Sequence, residues 1–417
     1  MDATSASLPL TRREPIDFAL SARCEKLRSE LLDFMDTAVY PAEAINEEQR
    51  GNGNPLEATP ILRDLKRLAR ARGLWNLFLP DAEWGAGLTN VDYAPLAEIM
   101  GRSIELAPEA TNCSAPDTGN MGLLADFGTS EQQERWLVPL LQGEIRSCFA
   151  MTEPAVASSD PGNLKTAAVK DGDDYVISGR KWWTTGAVSS DCKIAIVMVV
   201  TDPDVATRGR FSMILVPMDA VGVEVERSLT VFGYEERGGH GEVAFNDVRV
   251  PASNLIAAEG DGAMIAQARL GPGRIHHCMR AIGMAERAFD LMVGRARSRT
   301  AFGSRLADKG VIQDWIAEAR WRIEQARLLV LKTAWMLDTV GNREARREIS
   351  AIKVVAPRTA LWVIDKAIQV HGGAGVSSDV PLARMWAHAR TLRIADGPDE
   401  VHNMVLARRE IGRYEEG

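Results

Sequence analysis

Apolar residues recur at three- and four-residue spacing from about Pro15 to Leu141, as in Phe18 to Tyr40 and Leu62 to Arg70, and this predicts amphipathic helices. Gly51-Asn52-Gly53-Asn54-Pro55 and Gly85-Ala86-Gly87 break the pattern between them. The texture changes near Cys148. Tyr175 to Ile177 ends at Ser178-Gly179, and Lys193 to Val200, Phe211 to Val216 and Val221 to Val225 are short runs rich in β-branched residues. Val243 to Phe245 and Val248 to Val250 close this strand-rich stretch. After Pro251 the helical period returns. Ile316, Ile323, Val330 and Leu337 fall seven residues apart, with Ala319, Ala326 and Thr333 between them, which predicts one apolar stripe on a long helix and hence bundle core. The order is two helical regions bracketing a small β domain, divided at 1–147, 148–255 and 256–417.

Composition changes that picture little. Of 417 residues, 46% are hydrophobic and 25% charged, as in an ordinary globular protein, and the formal charge of −8 gives no surface suited to coating nucleic acid. Cys24, Cys113, Cys148, Cys192 and Cys278 are scattered and never spaced as CxxC, so they read as free thiols. The most apolar short run, Ile194 to Val200, is soon followed by Asp202 and Asp204, far short of a membrane span. Met1 to Asp17 has no apolar h-region, and Asp2 and Glu14 weaken a transit-peptide reading. A cytoplasmic protein with no nucleic acid and no membrane insertion is expected.

Five stretches could carry chemistry, and each has a bland alternative. Met151-Thr-Glu-Pro154, followed by Ala155 to Asp160, offers hydroxyls and turn N–H groups to a polar ligand, or only an Asx- and Ser-bonded turn. Gly179-Arg-Lys-Trp-Trp-Thr-Thr-Gly186 could flank a planar ring, or be a strand with one ring buried. Arg297-Ser-Arg-Thr-Ala-Phe-Gly303 clusters cations as an anion site does, and as a helix C-terminus does. Gln369-Val-His-Gly-Gly-Ala-Gly375 permits close backbone approach to a pyrophosphate; it is not GxGxxG and no strand precedes it, which excludes a Rossmann reading. Ala395-Asp-Gly-Pro-Asp-Glu-Val-His402 holds three carboxylates and a His, a general base or a helix cap. His276-His277 beside Cys278 lacks the spacing of a metal site.

Taken in order, these motifs closely resemble the acyl-CoA dehydrogenase family over nearly the whole chain. Leu270-Gly-Pro-Gly-Arg-Ile-His-His-Cys278 and Asp396 to His402 resemble one branch, represented in animals by acyl-CoA dehydrogenases ten and eleven, whose kinase-like domain this chain is too short to include. The resemblance implies an N-terminal helical domain, a middle β-barrel or sandwich domain and a C-terminal four-helix bundle, with FAD at a subunit interface of a homodimer or homotetramer. It places Phe149, Met151 and Thr152 on the flavin ring, Thr152 bonding its edge, with Trp183 and Thr185 on the other side. Ser159 would lie near both the CoA pyrophosphate and the flavin. Arg299, Phe302, Gln313, Gln369, Gly372 and Gly373 would hold the pyrophosphate and adenine of the neighbouring subunit's FAD, and Glu400 also falls among the cofactor contacts. Arg274 and Gly397 would touch substrate.

The implied reaction is α,β-dehydrogenation of an acyl-CoA to a trans-2-enoyl-CoA, with electrons passing to an electron-transfer flavoprotein. Asp396 would be the base, its pKa raised by desolvation in an apolar cleft. Most members with this base have Glu there. Members that place the base on an earlier helix do so at the position of Gly273, which cannot act as one. Asp399 and Glu400 are weaker competitors, and Ala301 and Pro398 replace hydroxylated residues of other branches. Two alternatives stand beside this reading: a flavin oxidase of the same fold, such as a nitroalkane oxidase, and a non-catalytic acyl-CoA and FAD-binding protein.

Overall fold

A computed structural model describes residues 16–205 and 209–415; the expectations for the chain's first fifteen residues lie outside that range. The chain opens with helices α1 (Ala22–Phe34), α2 (Tyr40–Asn52), α3 (Pro60–Ala71), α4 (Asn90–Gly101), α5 (Ala107–Ala110), α6 (Asp117–Phe127), α7 (Ser130–Gln132) and α8 (Val138–Gln142). Ser21, Thr59, Thr89 and Thr129 each accept a hydrogen bond from a first-turn N–H of the helix that follows, which fixes four of these starts. A π-turn, Met35–Val39, joins α1 to α2, so the run from Phe18 extends well past Tyr40 and stops only at Gly53.

Seven strands follow: β1 (Arg146–Ala150), β2 (Ala167–Asp171), β3 (Asp174–Thr185), β4 (Cys192–Val200), β5 (Phe211–Pro217), β6 (Val223–Leu229) and β7 (His240–Pro251). β4 pairs with β1 in parallel and with β5 antiparallel, while β2, β3, β7 and β6 form an antiparallel run. One parallel pairing, Ala167 with Val200, links the two, so the sheet curls over an inner core of Tyr175, Ile177, Val197, Ile214, Val243 and Phe245. The other side of β4 and β5, with Ile194, Ile196, Met198, Phe211, Met213 and Leu215, joins the helical core. That is why β4 is apolar on both faces.

The strand boundaries differ from the sequence pattern where bulges intervene. Gly179 does not end β3; the register slips between Ile177 and Gly179, and the strand runs on to Thr185. Val221 lies exposed in the turn before β6, and the two runs ending at Val250 are one strand, β7.

The C-terminal region is built on α9 (Gly262–Ser298), α10 (Gly310–Glu344), α11 (Arg346–His371), α12 (Leu382–Thr391) and α13 (Asp399–Glu415), with a two-stranded hairpin, β8 (Thr300–Ala301) and β9 (Ser304–Arg305), between α9 and α10. Ala319, Ile323, Ala326, Val330 and Thr333 of the α10 stripe are buried, with Ile316 and Leu337 packed at its edge. Among the described residues no helix is long and apolar enough to cross a membrane.

Candidate active site

Asp396 stands on the bend between α12 and α13, where it and Gly397 both have positive φ, 56° and 102°. Three side chains hold this bend through its carbonyls. Lys353 of α11 donates to Ala395 O (2.7 Å) and to Leu392 O, Arg274 Nε donates to Asp396 O (3.1 Å), and His402 Nε2 reaches the same oxygen at 3.2 Å. A carbonyl only accepts, so the His402 proton is on Nε2. Burial holds that imidazole down at about 4, hence neutral.

The carboxylate itself is only 25% exposed, and His277 Nε2 lies 3.6 Å from its Oδ2. The sequence reading has its pKa raised by an apolar cleft, and this is corrected. Burial does push it up, but the facing His277 ring together with the cations Lys353, Arg269 and Arg274 outweighs burial and leaves it below the ordinary carboxylate range. The cleft is cationic. Asp399 is buried and paired with Arg358 (2.9 Å) and Arg393 (2.8 Å), which makes it structural, while Glu400 is exposed at the start of α13.

Arg269 carries this site across to the β domain. Its guanidinium lies 4.0 Å over the Phe149 ring and its Nε donates to Asn120 Oδ1 (2.9 Å). Beyond Phe149 the chain leaves β1 as Met151-Thr152-Glu153. Trp182 N–H donates to Thr152 O (3.0 Å) and Thr152 Oγ1 donates to Trp182 O (2.6 Å), so the segment is fastened to β3. That second bond commits the Thr152 hydroxyl proton to Trp182 O and leaves its oxygen able to accept from a ring edge. Glu153 accepts from Lys165 N–H, Thr166 N–H and Lys181 Nζ (all 2.9 Å), and Lys181, fully buried, also donates to Met151 O (2.9 Å). Ser158, not Ser159, bonds into the turn by accepting from Glu153 N–H, and Ser159 is exposed.

Trp183 sits beside a second register slip of β3, with φ 51° and 42% of its surface exposed. His240 of β7 flanks it, ring centroids 5.3 Å apart, and bonds Thr185 Oγ1 through Nδ1 (2.9 Å). Phe149, Met151, Trp183, Thr185, Arg274 and Asp396 thus fall in one region where β1, β3, α9 and the α12–α13 bend meet.

Arg299, Phe302, Gln313, Gln369, Gly372 and Gly373 form a separate, exposed group at the far end of the bundle. Phe302 caps the β8–β9 hairpin and is fully exposed. Lys366 lies over the Trp315 ring and Arg322 over Trp362, so α10 and α11 run antiparallel and bring Gln313 to the same end as Gln369. From His277 to Arg299 along α9 is roughly 33 Å at 1.5 Å per residue.

Sequence reasoning missed His277, Lys353, Arg269 and His240. His277 stands in the sequence only as half of a pair without metal spacing, and no local signal marks the others: Lys353 bonds Ala395 42 positions away, His240 bonds Thr185 55 away and Arg269 bonds Asn120 149 away.

Family models for the N-terminal, middle and C-terminal domains of acyl-CoA dehydrogenases match residues 21–144, 148–248 and 260–411. The chain is 57% identical over 400 residues to FadE2 of Mycobacterium tuberculosis, assigned as an acyl-CoA dehydrogenase, covering 95% of this chain and 98% of that one. It is 54% identical to acyl-CoA dehydrogenase family member 11 of Gallus gallus, covering 94% of this chain and 51% of the relative, so it spans about half the length of that animal protein. The solved structure of a Mycobacterium abscessus chain assigned to the acyl-CoA dehydrogenases superposes with a TM-score of 0.92 at 53% identity, covering 95% of this chain and all of that one.

Proposed function

The chain belongs to the acyl-CoA dehydrogenase family, and from that premise we propose that it oxidises an acyl-CoA thioester to the trans-2-enoyl-CoA with Asp396 as the base. The observation that carries this reading is the Asp396 bend, whose backbone carbonyls are held between α9, α11 and α13 by Arg274, His402 and Lys353 so that its carboxylate is fixed in the cleft. Its depressed pKa keeps it ionised and ready to accept a proton. An acyl chain laid over it excludes water and pushes the carboxylate back toward the proton affinity the step needs. As the α C–H bond breaks, an Asp396 oxygen forms the new O–H bond. Donors to the thioester carbonyl stabilise the developing enolate.

The family's members bind FAD, and the residues present fit it. The half-exposed Trp183 indole, set off its strand by positive φ, offers a shelf to a planar ring, and the fastened Met151–Thr152 segment faces the same region. When bound, FAD supplies the hydride acceptor, a chemistry no side chain provides. Arg299, Phe302, Gln313, Gln369, Gly372 and Gly373 lie too far from Trp183 and Asp396 to serve the same cofactor in one chain, and they complete the site of a second copy. An electron-transfer flavoprotein would be the acceptor of the electrons that FAD takes up.

The test is anaerobic titration of the yellow protein with saturated acyl-CoAs, followed at the flavin absorbance. Bleaching is expected with wild type, and Asp396→Asn should retain FAD yet bleach at least a thousand-fold more slowly, in the range of losing a general base with its electrostatic support. Full activity of Asp396→Asn would overturn the assignment. Rapid oxygen consumption without an added acceptor would favour an oxidase instead.

A further inference from the structure

We propose that His277 and Arg280 form a positioning pair for Asp396: Arg280 fixes the proton of His277 on Nε2, and that N–H faces the carboxylate. The inference rests on the reading of Asp396 as the base and adds residues to it.

The tautomer follows from donor and acceptor logic. Arg280 Nη2 stands 3.3 Å from His277 Nδ1. A guanidinium has only donors, so Nδ1 must accept, and a neutral ring then carries its one proton on Nε2. A doubly protonated ring would turn an N–H toward the guanidinium, and burial together with Arg280 keeps His277 well below the ordinary histidine range. Nε2 is the nitrogen 3.6 Å from Asp396 Oδ2.

Arg280 is not free to turn away. It is buried, and Nη1 donates to Cys113 O (3.2 Å). Its turn of α9 lies against α4 so closely that a Cβ on Gly101 would meet the Arg280 carbonyl, and one on Gly283 would meet the Glu98 carbonyl. The pair is therefore held by helix packing, which a surface histidine could not match.

The other charged or titratable groups facing Asp396 are engaged elsewhere. On α9, Arg269 bonds Asn120, Arg274 bonds the Asp396 carbonyl, and burial pushes the Cys278 thiol up to about 12, so it stays neutral. Lys353 of α11 bonds the Leu392 and Ala395 carbonyls, and His402 of α13 bonds the Asp396 carbonyl. Among the described residues, His277 is the only basic side chain within ion-pair range of the carboxylate. With Oδ2 facing His277, Oδ1 is left to form the O–H bond as the substrate C–H breaks, and the imidazole keeps its proton throughout.

The pH dependence of kcat and kcat/KM in the FAD-loaded enzyme tests this, comparing wild type with His277→Leu and His277→Gln. Without the N–H facing it the carboxylate loses electrostatic stabilisation relative to the acid, its pKa rises, and the acid limb should move up by about one pH unit. The effect should fall on kcat more than on KM. Gln, whose amide N–H can occupy the place of Nε2–H, should restore most of the shift. An unmoved limb in His277→Leu, with Asp396→Asn inactive, overturns the pair and leaves the base standing; an active Asp396→Asn overturns the base itself. Nitrogen-15 histidine spectra of the wild type, with His277 assigned by its absence in His277→Gln, give a readout that no folding failure obscures. Nε2–H is expected, and a ring protonated on Nδ1 overturns the proposal.

Discussion

Asp396 occupies a backbone conformation that explains its side chain. At φ 56° most residues are strained, and Asp and Asn are the non-glycine residues that tolerate this region best. A Glu there would gain a methylene of reach and lose that tolerance. The Asp396–Gly397 pair therefore accommodates the shorter carboxylate by turning the chain. Burial also sets the chemistry of Lys181, pushing its ammonium down to about 8 while Glu153 pulls it up. Lys181→Met would strand a buried carboxylate that keeps two backbone N–H donors. A loss of about 3–5 kcal/mol is expected, as for a buried pair broken on one side. Urea unfolding reads it, together with weaker flavin retention, because Lys181 also ties down Met151. At this scale the sequence was legible where a residue sits inside a motif, as Asp396 does. It was not legible at His277 or Lys353, whose meaning comes from a contact across the bundle.

Elements were legible in proportion to how local their causes are. The α10 stripe and the runs that became β4 and β5 were readable because burial repeats at the period of the element. β3 was cut short at Gly179 because a bulge, fixed by pairing with β7, lets the strand continue through a residue that reads as a terminator. The close crossing of α4 and α9 left no periodic signal either, since two glycines on helices far apart in sequence make it. Gly283→Ala should destabilise by about 1–3 kcal/mol or more, because the added methyl meets rigid backbone on α4. Gly294→Ala, on the same helix with open space around it, should stabilise by about 0.8–1 kcal/mol. Thermal unfolding of the two variants side by side separates crowding from helix propensity; equal shifts would contradict the crossing described here.

For the whole molecule, the exposed group at the bundle end predicts assembly. Phe302 is held at the tip of a two-residue turn with no neighbour of its own to cover it, and Arg299 beside it is exposed too. Wild type should run as a dimer or tetramer by light scattering. Phe302→Asp should shift it toward monomer and strip FAD without unfolding the chain, since the hairpin packs little else. A wild-type monomer that retains FAD would contradict the shared site. The family fold and the residues expected to meet a second copy were readable from motif order, whereas their shared exposure at one end of the bundle was not, because exposure is a property of the folded chain.

The two-sided strand β4 also bears on how such a chain can be made. Its outer face and that of β5 belong to the helical core, and α9 approaches so closely that a Cβ on Gly262 would meet the Phe211 carbonyl at 2.7 Å. On the ribosome, β4 and β5 emerge before the α9 segment has been synthesised. During that interval the curled sheet can close over its inner core but leaves Phe211 and Met213 of β5 without their α9 cover. The nascent β domain thus carries an uncovered apolar face, open to aggregation, until translation has delivered α9.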